Sequence, residues 1–259
     1  MSAYDVVAPS FDSYRALPAR VPEAIRAAVL RATSASPRIL DLGAGSGRIG
    51  GPFVAAGDDY VGVDLSSGML REFAGRAAAH NALPRLIQAD GQELPFRDAM
   101  FDAVMLVQVF GGLRGWRRFV AEARRVLRSQ GAIIIGRTEM PPDGIDACMK
   151  QHLAAILGEF SSENDRTNAR DDITQWLAVE CSSSESVTAA SWTARRTPRG
   201  FIERHGSGAR FATLPTQIKS RAMDKLAAWA TATFGSLDAT ASEPHAFNLQ
   251  IYRFQDGNS

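Results

Sequence analysis

The chain has 259 residues, of which 45% are hydrophobic and 22% charged, with a formal net charge of +1. These values fit one large α/β domain, or a domain with a cap, and they give no reason to expect a nucleic acid or another polyanion as partner. The two cysteines have no metal-ligand spacing, no apolar run approaches the roughly 18 residues of a membrane span, and the N-terminus lacks the pattern of a signal peptide, so we expect a cytoplasmic protein without a metal site.

The first 140 residues predict two N-terminal helices, followed by apolar strands that alternate with amphipathic helices. The run 101–110 is almost continuously apolar, which is typical of a strand buried on both faces. In 115–131 the apolar residues recur with helical spacing, and Gly131 is expected just after the last turn. In chain order we expect a helix over 21–33, a strand over 38–43, a helix over 48–57, a strand over 60–65, a helix over 66–80, strands over 85–90 and 101–110, a helix over 115–131 and a strand over 132–139.

The alternation breaks after Glu139. The remaining segments predict helices over 141–160, 171–180 and 216–235, and strands over 185–198 and 246–254. Repeated strand–helix units imply right-handed crossovers and a parallel sheet. We therefore predict an α/β, Rossmann-like three-layer sandwich with a mostly parallel seven-stranded sheet, an N-terminal helical segment and a helical cap.

The ligand site is expected where the first strand meets the glycine-rich loop of "RILDLGAGSGRIG", since ligands of such sheets bind beyond the carboxyl ends of the strands. Gly43, Gly45 and Gly47 allow a close approach of backbone to ligand. A P-loop would need Lys followed by Ser or Thr, and the dinucleotide fingerprint would need a glycine where Arg48 stands. The loop alone is a weak signal.

Three carboxylates at strand ends narrow the choice of ligand. Asp64 ends the second strand, where it can accept from both hydroxyls of a ribose. Asp41 precedes the glycines, where a carboxylate repels a pyrophosphate but suits a ligand with an ammonium and a sulfonium. Asp90 ends the third strand and is placed to accept from the exocyclic amine of adenine. Together they indicate S-adenosylmethionine.

The segments "ILDLGAGSGRIG", "VGVDLSSGML", "QADGQELPFRDAMFDAV" and "RRVLRSQGAIIIG" resemble, in order and spacing, the class I S-adenosylmethionine-dependent methyltransferases. Within that family they look most like the small-molecule branch that includes quinone-biosynthesis methyltransferases, and the tail looks like that of a poorly characterised bacterial subgroup. The resemblance covers residues 11–140.

The resemblance implies a set of cofactor-binding residues. Gly43, Ala44 and Gly45 would join Asp41 around the methionine moiety, Asp64 would hold the ribose, Leu65 and Met69 would flank the adenine and ribose, Asp90 and Gly91 would meet the adenine edge, and Gln108 would close the methionine side. Phe11, Tyr14 and Arg15 match an N-terminal segment that folds over the cofactor in the family.

These expectations divide the chain into three parts. Residues 1–36 form the N-terminal helical segment over the cofactor site, and 37–140 form the S-adenosylmethionine-binding core. Residues 141–259 supply the cap helices and the last two strands of the sheet.

The predicted reaction is an in-line transfer of the sulfonium methyl group to O, N or C of a small molecule, which requires no general base if the acceptor is nucleophilic. Many relatives have histidines just after the fourth strand, where this chain has "VFGGLRG". Arg137, Glu139 and His205 are the remaining candidates for catalytic or substrate-binding roles. An NAD-dependent oxidoreductase, a non-catalytic S-adenosylmethionine-binding protein and an aminopropyl transferase remain as alternatives.

Overall fold

A computed structural model describes the residues at 4, 5, 8, 12, 17–110, 113, 115–159, 169–206, 211 and 214–254. Within this part of the chain no helix is long and apolar enough to cross a membrane.

The described residues contain seven strands and eight helices. The strands are β1 (Ile39–Leu42), β2 (Tyr60–Asp64), β3 (Arg85–Gln88), β4 (Phe101–Val107), β5 (Leu127–Glu139), β6 (Ser183–Arg196) and β7 (Ala241–Arg253). The helices are α1 (Val21–Arg31), α2 (Gly51–Ala55), α3 (Ser67–Ala78), α4 (Trp116–Val126), α5 (Ile145–Gly158), α6 (Ala169–Glu180), α7 (Pro198–Gly206) and α8 (Thr216–Phe234).

All seven strands form one sheet in the order β3-β2-β1-β4-β5-β7-β6. The first five strands are mutually parallel, whereas β7 runs antiparallel to both β5 and β6. The chain order reverses beside β1, so the carboxyl ends of β1 and β4 flank a crevice at the switch point. The predicted α/β fold with a mostly parallel seven-stranded sheet is confirmed.

The central strands of the sheet carry apolar side chains on both faces. Helices therefore cover both faces. On one face, α1, α2 and α3 pack through side chains such as Ile25, Phe53 and Phe73. On the other face, α4 and α6 pack through Phe119 and Ile173, among others. The three layers of the predicted sandwich follow from this double burial.

A third apolar cluster lies apart from both faces. It joins α5, α7 and α8 through Met149, Phe201 and Leu226, which are all buried. Of these three helices the sequence predicts α5 and α8, whereas it predicts no helix where α7 lies.

The prediction for the α4–β5 junction is wrong. The helix ends at Val126, and Leu127 already has extended backbone with φ −79° and ψ 133°. Leu127 pairs with Phe101 of β4 and is buried, so pairing with the sheet overrides the helical preference of the residues that follow. Gly131 therefore lies inside β5 and does not end a helix. The predicted strand 101–110 is also too long, since β4 ends at Val107 and Gln108 turns the chain with φ +54°.

Candidate functional site

A cavity of about 420 Å³ opens at the carboxyl ends of β1, β2, β3 and β4. Its volume lies within the range of small-molecule sites. All ten residues that the sequence analysis assigns to the cofactor line it, namely Asp41, Gly43, Ala44, Gly45, Asp64, Leu65, Met69, Asp90, Gly91 and Gln108. The structure thus brings together residues that are up to 67 positions apart in the chain, from 41 to 108.

The glycine loop follows β1 in a conformation that side chains would obstruct. Gly43 has φ +90°, and a Cβ there would lie 2.6 Å from Val109 Cγ2. Gly47 has φ +76°, and its Cβ would lie 2.1 Å from Phe73 Cδ2. The backbone of the loop therefore packs directly against Val109 and Phe73, and the loop also lines the cavity.

Asp64 ties the glycine loop to the start of α3. Its carboxylate accepts from the Gly45 N–H at 2.9 Å and from the Ser66 N–H at 2.8 Å. Burial raises its pKa, although the backbone N–H bonds oppose the shift. Ser66 caps α3 as its residue type favours, accepting from the Met69 N–H at 3.2 Å.

Asp41 is the most deeply buried acid of the cavity, with 1% of its surface exposed. Tyr60 donates a hydrogen bond of 2.6 Å to Asp41 Oδ2, whereas Oδ1 has no hydrogen-bond partner among the described residues. Burial raises the pKa of Asp41 to about 6, and the nearby Asp64 charge adds to the rise, while the Tyr60 bond lowers it. A buried carboxylate oxygen without a partner is costly unless a donor arrives, and a cationic ligand supplies one.

Asp90 and Gly91 begin the loop after β3. The exposed Asp90 carboxylate accepts from the Gln92 N–H at 2.9 Å. A Cβ on Gly91 would lie 2.3 Å from Phe119 Cε2, so only glycine lets this loop pass over α4. The two residues form the wall of the cavity opposite the glycine loop.

Part of the N-terminal segment contacts the same site. Tyr4 lines the cavity, and Asp5 accepts from the Ser66 hydroxyl at 2.6 Å and from the Gly68 N–H at 3.0 Å. Asp12 accepts from the Ser46 hydroxyl at 2.8 Å and pairs with Arg76. The sequence analysis missed Tyr4, Asp5 and Asp12, because no pattern links isolated residues near the N-terminus to one loop. Phe11, Tyr14 and Arg15 lie outside the described residues.

A polar chain leads from the cavity toward β5. Arg48 donates to Gln108 Oε1 at 2.7 Å, and Gln108 Nε2 donates to Thr138 Oγ1 at 3.2 Å. Thr138 is the second-last residue of β5. Side chains from three segments therefore meet at Gln108, which lines the cavity.

None of the three predicted catalytic candidates lines the cofactor cavity, although two of them contact each other. Arg137 and Glu139 form an ion pair, and the second oxygen of Glu139 accepts from Asn248 at 2.6 Å. His205 lies on α7, where its ring stacks on Phe201 with 3.7 Å between the centroids and its Nδ1 lies 3.0 Å from the Phe201 carbonyl oxygen. Neither Arg137 nor His205 lines the cavity of the ten predicted residues, and Glu139 instead lines a second one.

Fold and cavity together define an α/β protein with a cavity at the carboxyl ends of its parallel strands. A family described as methyltransferase domain matches residues 40–135. The demethylmenaquinone methyltransferase of Renibacterium salmoninarum is 31% identical over 193 residues, which are 68% of this chain and 80% of that protein. The chain belongs to the class I S-adenosylmethionine-dependent methyltransferases, and S-adenosylmethionine is its cofactor.

This chain spans a smaller share of two other relatives. The demethylmenaquinone methyltransferase of Clavibacter sepedonicus is 35% identical over 53% of this chain, and the malonyl-[acyl-carrier protein] O-methyltransferase of Geobacter sulfurreducens is 35% identical over 50% of it. The chain spans 58% and 49% of these two proteins.

Among solved structures, the YcgJ protein of Bacillus subtilis resembles this chain in fold, with a TM-score of 0.61 and 18% sequence identity. The match covers 91% of this chain and 99% of the YcgJ chain.

The residues present fit this cofactor. The Asp41 Oδ1, which has no hydrogen-bond partner among the described residues, is an acceptor for an ammonium group, and Gly43 lets the loop pass close to Val109 at the cavity wall. The alternative of a dinucleotide finds no support in this cavity, because a buried carboxylate beside the loop opposes a pyrophosphate.

Proposed function

We propose that the protein transfers the methyl group of S-adenosylmethionine to an O, N or C atom of a small molecule. The observation that carries the proposal is the buried Asp41, which lines the same cavity as Asp64 and the glycine loop and whose Oδ1 has no hydrogen-bond partner among the described residues. Such an arrangement favours the binding of a ligand that combines a ribose with a cationic amino-acid group.

Each side of the cavity has a proposed role in holding the cofactor. Asp64 accepts from the ribose hydroxyls and Asp41 from the methionine ammonium group. The remaining residues shape the site: Gly43, Ala44, Gly45 and Gln108 beside the methionine moiety, Leu65 and Met69 against the ribose and adenine, and Asp90 with Gly91 at the adenine edge.

When bound, S-adenosylmethionine supplies an electrophilic methyl group on a positive sulfur. The work of this chain is to hold that group in line with the acceptor atom at roughly 3–3.5 Å, which supplies much of the rate. Arg137, Glu139 and His205 remain proposals for contacts to the acceptor, and an already nucleophilic acceptor needs no base. The chain is proposed to divide into the parts 1–36, 37–140 and 141–259. The acceptor is proposed to bind between the core and the cap helices.

The partner is proposed to be a small molecule and not a nucleic acid, because the net charge of +1 provides no excess of positive charge for phosphate contacts. The relatives named above act on chemically different acceptors, so their names do not choose between O, N and C as the methylated atom.

Calorimetric titration of the wild type with S-adenosylmethionine, S-adenosylhomocysteine and NAD tests the cofactor site. We expect micromolar binding of the two sulfur ligands and none of NAD. In Asp64→Asn the dissociation constants are expected to rise about 10- to 100-fold, since one or two hydrogen bonds to a charged group are weakened. Asp224→Asn, on the exposed side of α8, is the matched control and should bind like the wild type.

Binding of NAD without the sulfur ligands would overturn the proposal in favour of an oxidoreductase. The catalytic part is tested by following S-adenosylhomocysteine formation over a panel of hydroxyl, amine and activated carbon acceptors. Tight cofactor binding without turnover on any of them would favour the non-catalytic alternative.

A further inference from the structure

The cofactor cavity contains a single basic side chain among the described residues that line it. This residue is Arg48, and it shares the cavity with three acids, Asp41, Asp64 and Asp90. In the sequence, Arg48 only separates the glycine loop from a dinucleotide fingerprint, and no role follows for it from that pattern. Because the described walls carry more negative than positive charge, an anionic group of a ligand is stable there only beside Arg48.

The Arg48 side chain extends from the glycine loop to the end of β4. Its Nη2 donates to Gln108 Oε1 at 2.7 Å, and Gln108 lines the same cavity. Gln108 Nε2 in turn donates to Thr138 Oγ1 of β5 at 3.2 Å, which holds the amide with its oxygen toward Arg48. A guanidinium is planar, so a fixed acceptor at one of its nitrogens restricts the orientation of the whole group. The Arg48 charge is therefore held at the wall between the glycine loop and β4.

Asp41 lies on the strand next to that wall. It pairs in register with Met105 of β4, three residues before Gln108. Its Oδ1 has no hydrogen-bond partner among the described residues, and we assign the methionine ammonium group to it above. The ammonium and the carboxylate of an α-amino acid are attached to one carbon atom, so their binding partners must be neighbours. Asp41 and Arg48 meet this condition, because β1 and β4 are adjacent strands.

The carboxylate distinguishes two related molecules that could enter this cavity. Decarboxylated S-adenosylmethionine lacks that group and therefore carries one more unit of net positive charge than the intact molecule. The three acids attract the decarboxylated form more strongly, whereas Arg48 repels its additional charge and attracts the carboxylate of the intact form. The decarboxylated form is the donor in aminopropyl transfer, which is one of the alternative reactions for this fold.

We propose that Arg48 binds the carboxylate of S-adenosylmethionine and thereby selects this methyl donor over its decarboxylated form. Gln108 is a positioning residue, because it holds the guanidinium at the cavity wall. The proposal rests on the proposed function, since it adds a specificity-determining residue to the cofactor site described there. It also accounts for the exclusion of aminopropyl transfer.

Calorimetric titration with three thioethers that transfer no group tests this proposal. The thioethers are S-adenosylhomocysteine, its decarboxylated form and 5′-methylthioadenosine, which lacks the whole amino-acid part. In the wild type we expect S-adenosylhomocysteine to bind about 10- to 100-fold more tightly than its decarboxylated form, as for charge-assisted bonds to one carboxylate.

Two substitutions of Arg48 locate the effect. Arg48→Met removes the charge but keeps an unbranched side chain, and we expect the preference for the carboxylate to disappear because the acids then favour the decarboxylated form. Arg48→Lys keeps the charge without the planar fork and should retain part of the preference. Arg71→Met removes the same charge from an exposed position of α3 that does not line the cavity, so this control should behave like the wild type.

Gln108→Glu tests the positioning role with little change in side-chain size. The new carboxylate pairs with Arg48 and neutralises its charge, so the preference should fall toward that of Arg48→Met. A purely structural role of Gln108 would change the affinities for all three thioethers together and leave their ratios unchanged. 5′-Methylthioadenosine reports the nucleoside part alone and should bind equally to the wild type and to all folded variants.

The outcomes separate this proposal from the proposed function. A wild type that binds neither S-adenosylhomocysteine nor 5′-methylthioadenosine would contradict the proposed function. Equal wild-type affinities for S-adenosylhomocysteine and its decarboxylated form would overturn the role of Arg48 and leave the proposed function standing. A preference that survives unchanged in Arg48→Met would assign the carboxylate to another residue. If Arg48→Met does not fold, the wild-type ratio and Gln108→Glu still decide.

Discussion

Asp41 and Tyr60 illustrate how a single buried contact prepares the cofactor cavity. The carboxylate and the phenol lie on adjacent parallel strands, and burial raises the pKa of both groups. Holding the Asp41 charge away from water costs stability in the ligand-free protein. A cation in the cavity offsets this cost, so the same residue that weakens the free protein strengthens its complex.

Asp41→Asn is therefore expected to stabilise the free protein and to weaken cofactor binding. The pKa is about 6 in the folded protein against an ordinary 3.8, so the folded state binds the proton more tightly than the unfolded chain. The penalty is absent below pH ~4, grows as the pH rises to ~6 and is complete above it, where it reaches about 2–3 kcal/mol. Urea unfolding at pH 5 and pH 7.5 should show a gain for the variant that is larger at pH 7.5.

Asp224→Asn, which replaces an exposed carboxylate of α8, should show no such gain. A variant that is less stable than the wild type at pH 7.5 would mean that the Asp41 charge is compensated in the free protein, and the ammonium site would then need another explanation.

The residues at strand ends could be predicted, because a parallel sheet brings its carboxyl ends to one edge. The sequence alone therefore predicts that Asp41, Asp64 and Asp90 lie at one site. The partner of Asp41 could not, since Tyr60 stands opposite Ile39 in the register and only the three-dimensional packing aims its hydroxyl at Asp41. The same limit applies to histidines: the sequence favours His205, whereas the histidine that the structure buries is His245, beside Glu243.

At the scale of elements, α4 holds the loop that carries Asp90. Arg125 on this helix donates to the carbonyl oxygens of Leu94 and Phe96 and pairs with Asp98 and Glu122. These bonds raise the pKa of Arg125 and fasten the loop between β3 and β4 to the outside of α4. The wall of the cavity that carries Asp90 thus depends on Arg125, which does not line it.

Arg125→Ala is expected to lower the free energy of unfolding by about 1–2 kcal/mol, since the bonds are charge-assisted but partly exposed. The dissociation constant for S-adenosylhomocysteine should rise a few-fold, because the loop is less well fixed. Arg118→Ala on the same helix is the control, as its contact with Glu93 is 3.7 Å long and exposed. Equal effects of the two variants in urea unfolding and calorimetry would show that Arg125 does not fasten the loop.

Most elements were predicted within a few residues, and the wrong boundary between α4 and β5 has a physical cause. Periodicity located α4, but the residues from Leu127 to Gln130 look helical and are nevertheless strand, because Phe101 of β4 needs a partner. Local preference could not reveal a pairing that depends on a strand 26 positions away.

At the scale of the whole molecule, the helical cluster of α5, α7 and α8 is attached to the sheet by charged contacts as well as by the chain. Asp146 at the start of α5 pairs with Arg196 at the end of β6 and with Arg204 of α7, and all three side chains are mostly buried. Burial lowers the pKa of Arg204, so this ion cluster fixes orientation more than it adds stability. The sequence predicts α5 and α8, but neither α7 nor the ions that orient these helices.

Because the cofactor cavity is built from four strand ends, ligand binding should stabilise the sheet as a unit. At a concentration 100-fold above its dissociation constant, S-adenosylhomocysteine is expected to add about 2.7 kcal/mol to the free energy of unfolding. For a chain of this size that corresponds to a rise of roughly 5–10 °C in Tm, measured by calorimetry or by circular dichroism. NAD at the same concentration should leave Tm unchanged, and Asp64→Asn should reduce the shift in proportion to its weaker affinity. A shift that is identical in Asp64→Asn and the wild type would place the ligand outside the cavity at the ends of β1 and β2.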